Sequence, residues 1–277
     1  MARLVGAFAA SHGPLIARDW ERLPAPLRDR LAGNFRALGR RLADARPDVL
    51  IAVSPDHWVN FFIDNLPSIC IGIGAEHQGP PEPFLADFPH KTIAGDPGLG
   101  RHILETALGE DFEPSFSHRL ILDHGFCIPL LRMELPVLPR IVPIIVNALE
   151  PPMPSVRRCL AWGKLLARAV AAYPGPERVA ILASGGLSHS IGEPTMGEID
   201  AGFDRGCIAA FGAADDSGLV DFLEPALKAT GNGGHEVRNW VVAHGAAGGS
   251  GFELLDYFPA PEIYVGCAFA AWRMPTA

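Results

Sequence analysis

Several familiar chemistries are missing from this chain. No HExxH pair occurs, which argues against a zincin. Gly185-Gly186-Leu187-Ser188-His189 is not a G-x-S-x-G elbow, which argues against an α/β-hydrolase serine. Gly231-Asn232-Gly233-Gly234 lacks the Gly-Lys-Ser/Thr of a P-loop. The glycines from Gly245 to Gly251 follow a helical pattern instead of a strand, the wrong context for a dinucleotide fingerprint. No CxxC is present, and the five cysteines (Cys70, Cys127, Cys159, Cys207 and Cys267) are odd in number and sit mostly in apolar or helical neighbourhoods. They read as buried free thiols of a reducing, cytoplasmic protein. No long basic run interrupts the net charge of −8, so nucleic acid is not an expected partner. No apolar stretch reaches the length of a membrane span, so no membrane is expected. The N-terminal run Leu4 to Ala9 is short and stops at Ser11-His12-Gly13-Pro14. It reads as a first core strand and not as a signal peptide.

What is present is a large apolar core. The 277 residues are 48% hydrophobic, enough for one α/β unit of full size. Strand patterns fall at Leu4–Ala9, Val49–Val53, Ser68–Gly74, Ile141–Val146, Val179–Ala183, Glu253–Tyr257 and Ile263–Phe269. Helical patterns fall between them. The clearest is Pro24–Arg46, where Leu27, Leu31, Phe35, Leu38 and Leu42 recur at helical spacing and prolines punctuate both ends. Others are Gly98–Leu108, Ser155–Ala172, Glu198–Phe211, Leu219–Leu227 and a helix from His235 to Ala246. Such alternation predicts a layered α/β/α fold around a central mixed, largely parallel sheet. No repeat or long linker divides the chain, so a single domain over 1–277 is expected. Glu76–Pro97 is rich in Pro, Gly and charge and reads as a loop, a candidate active-site wall.

Five histidines and one glutamate stand in suggestive contexts: His12, His57, His124, His189, and His235-Glu236. His12 and His57 each follow a buried strand directly, and ligands of open α/β sheets bind at that carboxyl edge. Asp56 can either support His57 from behind or cap the next turn. Asn60 can hydrogen-bond a substrate or simply hold a loop. His124 and His189 can carry protons near neutral pH, or can be ordinary hydrogen-bonded core histidines. Glu236 falls in the first turn of a helix, where the dipole favours a carboxylate even without a metal. His235 points elsewhere on that helix and is the weakest of the histidines. His77, His90, His102, His118 and His244 fall in polar loops or on helix surfaces and are given no role. Two imidazoles and one carboxylate, with positions left open, suit non-haem Fe(II) that activates O2.

Five segments, in order along nearly the whole chain, carry a resemblance. They are Gly6-Ala7-Phe8-Ala9-Ala10-Ser11-His12-Gly13-Pro14, Ser54-Pro55-Asp56-His57 with Asn60-Phe61-Phe62, Asp123-His124-Gly125-Phe126, Ser184-Gly185-Gly186-Leu187-Ser188-His189, and Gly234-His235-Glu236-Val237-Arg238-Asn239-Trp240. The chain resembles the class III (LigB-type) extradiol catechol dioxygenases, including the catalytic β subunit of protocatechuate 4,5-dioxygenase. The resemblance implies that His12, His57 and Glu236 hold Fe(II), that His189 is the acid–base histidine, and that His124 meets the substrate or the oxygen. His235 is then not a ligand. It further implies cleavage of a catecholic ring, protocatechuate- or gallate-like, by O2 to a muconic semialdehyde-type product. Cleavage of a 2-aminophenol or a dihydroxyphenylpropionate by the same site is the alternative, as is a zinc-bound or non-catalytic relative. Arg119 and Arg238 are candidates to anchor a substrate carboxylate. No lid domain is appended, so the expected partners are a second copy of the chain or a small α subunit.

Overall fold

Apolar, β-branched runs too short for helices and amphipathic stretches of helical period sort the chain into strands and covering helices. The computed structural model describes residues 1–175 and 177–274. Its strands are β1 (Arg3–Ala10), β2 (Val49–Ser54), β3 (Ile69–Gly72), β4 (Glu76–Gln78), β5 (Thr92–Ala94), β6 (Ser115–Ser117), β7 (Arg140–Val146), β8 (Arg178–Ser184), β9 (Phe252–Ala260) and β10 (Val265–Trp272). Its helices are α1 (Leu15–Arg18), α2 (Ala25–Ala45), α3 (Pro97–Gly109), α4 (His124–Arg132), α5 (Val156–Ala172), α6 (Ala201–Gly212), α7 (Asp216–Ala226) and α8 (Val237–Ala246). None is long and apolar enough to cross a membrane.

Eight strands form one sheet in the order β6-β3-β7-β2-β8-β1-β10-β9. The central four, β7, β2, β8 and β1, run parallel. β3 joins β7 antiparallel on one side, and β10 and β9 add antiparallel strands on the other. The sheet is therefore mixed and parallel at its centre, as the alternation of patterns predicts. Both faces are covered, which is why the central strands read as continuous apolar runs. Ala7, Ala9, Ile51 and Ile181 face a layer built from α3, α5, α6, α7 and α8, with Trp162 and Trp240 at its centre. Their neighbours Phe8, Ala10, Leu50 and Leu182 face α2 and α4, where Leu31, Phe35 and Leu38 are fully buried. A side-chain period of two assigns each strand residue to one layer.

Several boundaries differ from the sequence reading. Glu76–Pro97 is not a bare loop: β4 and β5 pair antiparallel across it, with a short 3-10 turn at Pro83–Leu85. β9 runs past its apolar core at both ends, while β10 starts at Val265, because Ile263 belongs to a 3-10 turn, and runs on to Trp272 through its pairing with β9. Helix α4 has no signature long enough to read, being nine residues with Pro129 inside. The helix after the glycine-rich turn is preceded by a 3-10 turn, Asn232–Glu236. His77 and His244 are buried, against the expectation of exposed positions. The Leu120 amide donates to His77 Nδ1 at 3.2 Å, and Trp272 Nε1 donates to His244 Nδ1 at 3.0 Å. Burial lowers His77 to about 4, so both roles are those of neutral acceptors in the core.

Candidate active site

Strand β8 lies between β1 and β2, so three carboxyl ends stand side by side. The helix that leaves β1 covers one face, and the helix that enters β8 covers the other. A crevice opens where coverage changes face, the expected location for a ligand. His12 follows β1 by two residues and His57 follows β2 by three. β8 leads into the Gly185–His189 segment. His124 opens α4, and Glu236 closes the 3-10 turn before α8. All five side chains line one cavity of about 350 Å³.

Three donor atoms in it form a nearly equilateral triangle. His12 Nε2 is 3.3 Å from His57 Nε2 and 3.3 Å from Glu236 Oε1, and His57 Nε2 is 3.4 Å from that oxygen. The centre of such a triangle is about 1.9 Å from each corner, the edge divided by √3. That is just inside the length of about 2.0–2.2 Å expected for bonds from a small divalent ion to imidazole nitrogen or carboxylate oxygen. The residues therefore fit a metal held from one side. His124 joins His12 and His57 as a further ring near the same point, its centroid 4.0 Å from that of His57.

Backbone and polar neighbours fix which nitrogen faces the cavity. Ser184 Oγ donates its only hydrogen to the Gly125 carbonyl, so it can only accept from His12 Nδ1, at 2.8 Å. His12 Nε2 then keeps its lone pair. Asp123 Oδ2 accepts from both the backbone N–H of His57, at 2.7 Å, and its Nδ1, at 3.0 Å. The other oxygen of Asp123 caps α4 by accepting from Gly125 N at 2.9 Å. His189 Nδ1 donates to the Leu187 carbonyl at 2.9 Å, leaving Nε2 free 3.7 Å from Glu236 Oε1. His124 Nδ1 and its backbone N–H meet Glu82 Oε1 at 2.8 and 2.9 Å. Glycine lets these parts approach: a Cβ on Gly233 would overlap the His189 ring.

The charges follow from this packing. Burial opposes protonation of His57, but ionised Asp123 and Glu236 outweigh it and raise its pKa to about 10. Burial likewise opposes charge on His189, while the Glu236 carboxylate raises it. Burial and the neighbouring His57 keep His124 low, with Glu82 pulling the other way. Burial pushes Glu236 up, yet His12 and His189 hold it well below the usual carboxylate range. A buried carboxylate among imidazoles is a place where a divalent cation replaces protons.

The remaining candidates lie elsewhere. Asp56 caps the following turn, accepting from Val59, Asn60 and Phe61 amides; the carboxylate behind His57 is Asp123. Asn60 donates to Asp56 and to the Ile121 carbonyl and accepts from Ile121 N, so its amide is occupied in holding that loop. Arg119 is exposed in a separate groove with Glu76 and Thr92. Arg238 is buried and donates to the Pro154 carbonyl and to His235 Nδ1, which removes both from the cavity. The 76–97 segment does not wall the cavity; it supports His124 from behind through Glu82. Ser184, Asp123 and Glu82 were not singled out beforehand. Only Asp123 carries a local signal, that of a helix N-cap two residues before a glycine.

Comparison with known proteins agrees with this geometry. Residues 6–265 match the family described as the catalytic LigB subunit of aromatic ring-opening dioxygenase. A 2,3-dihydroxyphenylpropionate/2,3-dihydroxicinnamic acid 1,2-dioxygenase of Paraburkholderia xenovorans is 30% identical, over 86% of this chain and 89% of that protein. A protein of the same name from Mycobacterium sp. strain MCS is 28% identical, over 95% and 97%. An uncharacterised protein of Escherichia coli K12 shares the fold, with a TM-score of 0.61 at 15% identity over 96% of this chain and 99% of that one. A match across almost the full sheet, carrying every strand end that lines the cavity, leaves one assignment: the chain belongs to the LigB family and is an extradiol ring-cleavage dioxygenase.

Proposed function

We propose that the enzyme opens a catechol ring with O2 using Fe(II) held by His12, His57 and Glu236. The observation that carries this is the triangle of three donor atoms, all presented by strand and helix ends at one cavity. Two nitrogens and one carboxylate on a single side, with open positions opposite, suit non-haem iron. Bound there, the ion supplies Lewis acidity toward the ring hydroxyls and the redox chemistry for O2. The protein does the rest. In the neutral ring Nδ1 of His189 carries the hydrogen given to the Leu187 carbonyl, so the lone pair is on Nε2, the atom that would accept a ring hydroxyl proton. Glu236 stabilises the imidazolium that results. His124, held by Glu82, is a second proton-handling group on the side of His57.

The relatives' names favour a 2,3-dihydroxyphenyl ring with a side arm over the protocatechuate- or gallate-like ring expected from the sequence. The cavity is near the lower end of the usual ligand-pocket range of about 300–1,000 Å³. That size suits a single ring with a short arm. The test is anaerobic loading with Fe(II) followed by O2 uptake on 2,3-dihydroxyphenylpropionate, protocatechuate, gallate, catechol and 2-aminophenol, with the yellow ring-fission product monitored. Uptake that requires Fe(II) and disappears in His12→Ala and Glu236→Ala is the expected result. No uptake with any ring would overturn the reading.

A further inference from the structure

The region beyond the histidines is apolar. Trp58, Leu149, Ile191, Ile263, Tyr264 and Val265 line the rest of the cavity. Three of them, Trp58, Ile191 and Tyr264, are among the exposed large hydrophobic residues, at 38, 50 and 40%. Exposed apolar side chains gathered around one cavity point to a binding surface for apolar groups, as scattered ones do not. Of the polar side chains there, Tyr264 adds a phenol, and Asn232 is already occupied, accepting from the Ile191 amide and donating to its carbonyl, both at 2.8 Å.

Charge points the same way. Among the described residues, neither lysine nor arginine lines this cavity. Arg238 is fastened to Pro154 and His235, and Arg119 faces another groove. Arg18, close enough to feel the Tyr264 phenol, pairs with Asp19 at 2.9 Å and lines a different groove. Besides the buried Glu236, the acid among the lining residues is the exposed Glu150. Its backbone is held in place by the buried Asn147, which donates to the Glu150 carbonyl at 2.7 Å and accepts from the Leu149 and Glu150 amides at 3.2 Å. Outside the histidine cluster, a carboxylate on the ring's side arm would meet mostly apolar side chains, neither lysine nor arginine, and an acid, Glu150. Burying an unpaired charge in that setting is costly.

Building on the ring-cleavage reading above, we propose that the side arm of this enzyme's catechol is uncharged and apolar. Glu150 and the apolar rim then disfavour the carboxylate-bearing rings after which the relatives are named. The selectivity arises in the arm pocket and leaves the chemistry at the hydroxyl pair unaltered.

A matched pair of rings tests this: 3-propylcatechol and 3-(2,3-dihydroxyphenyl)propionate, similar in shape and different in charge. With the Fe(II)-loaded enzyme, kcat/KM is expected to favour 3-propylcatechol by about tenfold or more. Glu150→Lys should move that ratio toward the acid by about fivefold or more, since it replaces a repelling charge with a pairing one. Equal or better turnover of the acid by the wild type overturns the proposal while leaving ring cleavage intact. A ratio unmoved in Glu150→Lys removes Glu150 from it. Anaerobic calorimetry of the two rings reads the same preference without turnover. Tighter binding of the neutral ring by a protein that cleaves neither supports the arm assignment and defeats only the ring-cleavage reading. Tighter binding of the acid, or binding of neither ring, overturns the proposal.

Discussion

Replacing Asp123 with asparagine should weaken metal binding while leaving the cap on α4 in place. The carboxylate has two separate duties. One oxygen caps α4 through Gly125 N, at 2.9 Å, and the other accepts from His57 N and Nδ1, at 2.7 and 3.0 Å. In Asp123→Asn the amide oxygen can keep the cap. The amide nitrogen then faces two donors that it cannot accept from. His57 can relieve half of that conflict by losing its Nδ1 proton and accepting there, which leaves the remaining proton on Nε2, the atom that faces His12 and Glu236. The lone pair needed by a metal is then blocked. A hydrogen bond to a charged group is worth about 1.5–3 kcal/mol, and the one from the His57 backbone N–H is lost. Loss of such outer partners lowers metal affinity by about 10–100-fold. Asp123→Ala should show the same metal defect and lose about 1 kcal/mol more stability, because the cap goes as well. Calorimetric titration of the apoprotein with Co(II), alongside thermal melts, measures both quantities. An asparagine variant that binds Co(II) as tightly as wild type would refute the reasoning.

Three further outcomes follow from the same geometry. Gly233→Ala should drive a Cβ into the His189 ring and lower kcat by about 100-fold, with circular dichroism and metal binding retained; unchanged kcat would count against His189 as the proton acceptor. Without metal, His57 holds a proton up to about pH 10, so an ion must displace it. Metal affinity should therefore rise by about tenfold per pH unit below that point, with proton release visible in an indicator dye at about pH 8. Glu82→Gln removes one of the two carboxylates, with Asp123, that raise His124 against burial. Any limb of the pH–rate profile that needs protonated His124 should move to lower pH, and a profile that stays in place would remove His124 from proton handling.

Much of the scaffold was legible in the sequence. Runs such as Val49–Val53 and Val179–Ala183 are too short and too β-branched for helices, and both are buried central strands. The helix from Pro24 to Arg46 was visible in its leucine spacing and its prolines, and α2 spans Ala25–Ala45. The strand-end positions of His12 and His57 were equally readable, because a turn directly after a buried strand leaves a side chain at the sheet edge. What the sequence left open or misplaced shares one cause. Asp56 and Asp123 look alike as acids beside histidines, yet Asp56 turns back on its own loop while Asp123 reaches 66 residues along the chain to His57. Asn60, Arg119 and Arg238 were plausible near ligands, but each is engaged or directed elsewhere by contacts distant in sequence. His77 and His244 read as polar-surface residues because their immediate neighbours say nothing about the layers that close over them.

The sequence by itself determined the elements, the alternation that makes a two-faced sheet, and the residue types able to hold a metal and move protons. It did so because strand and helix periods and strand-end turns are local properties. Only the tertiary structure decided which three donor atoms converge within 3.4 Å of each other. It also decided which nitrogen each imidazole presents, and that apolar side chains and Glu150, with no arginine or lysine among the described residues, line the rest of the cavity. Those outcomes depend on the order β2-β8-β1 in the sheet, which sets side by side strand ends that lie far apart along the chain.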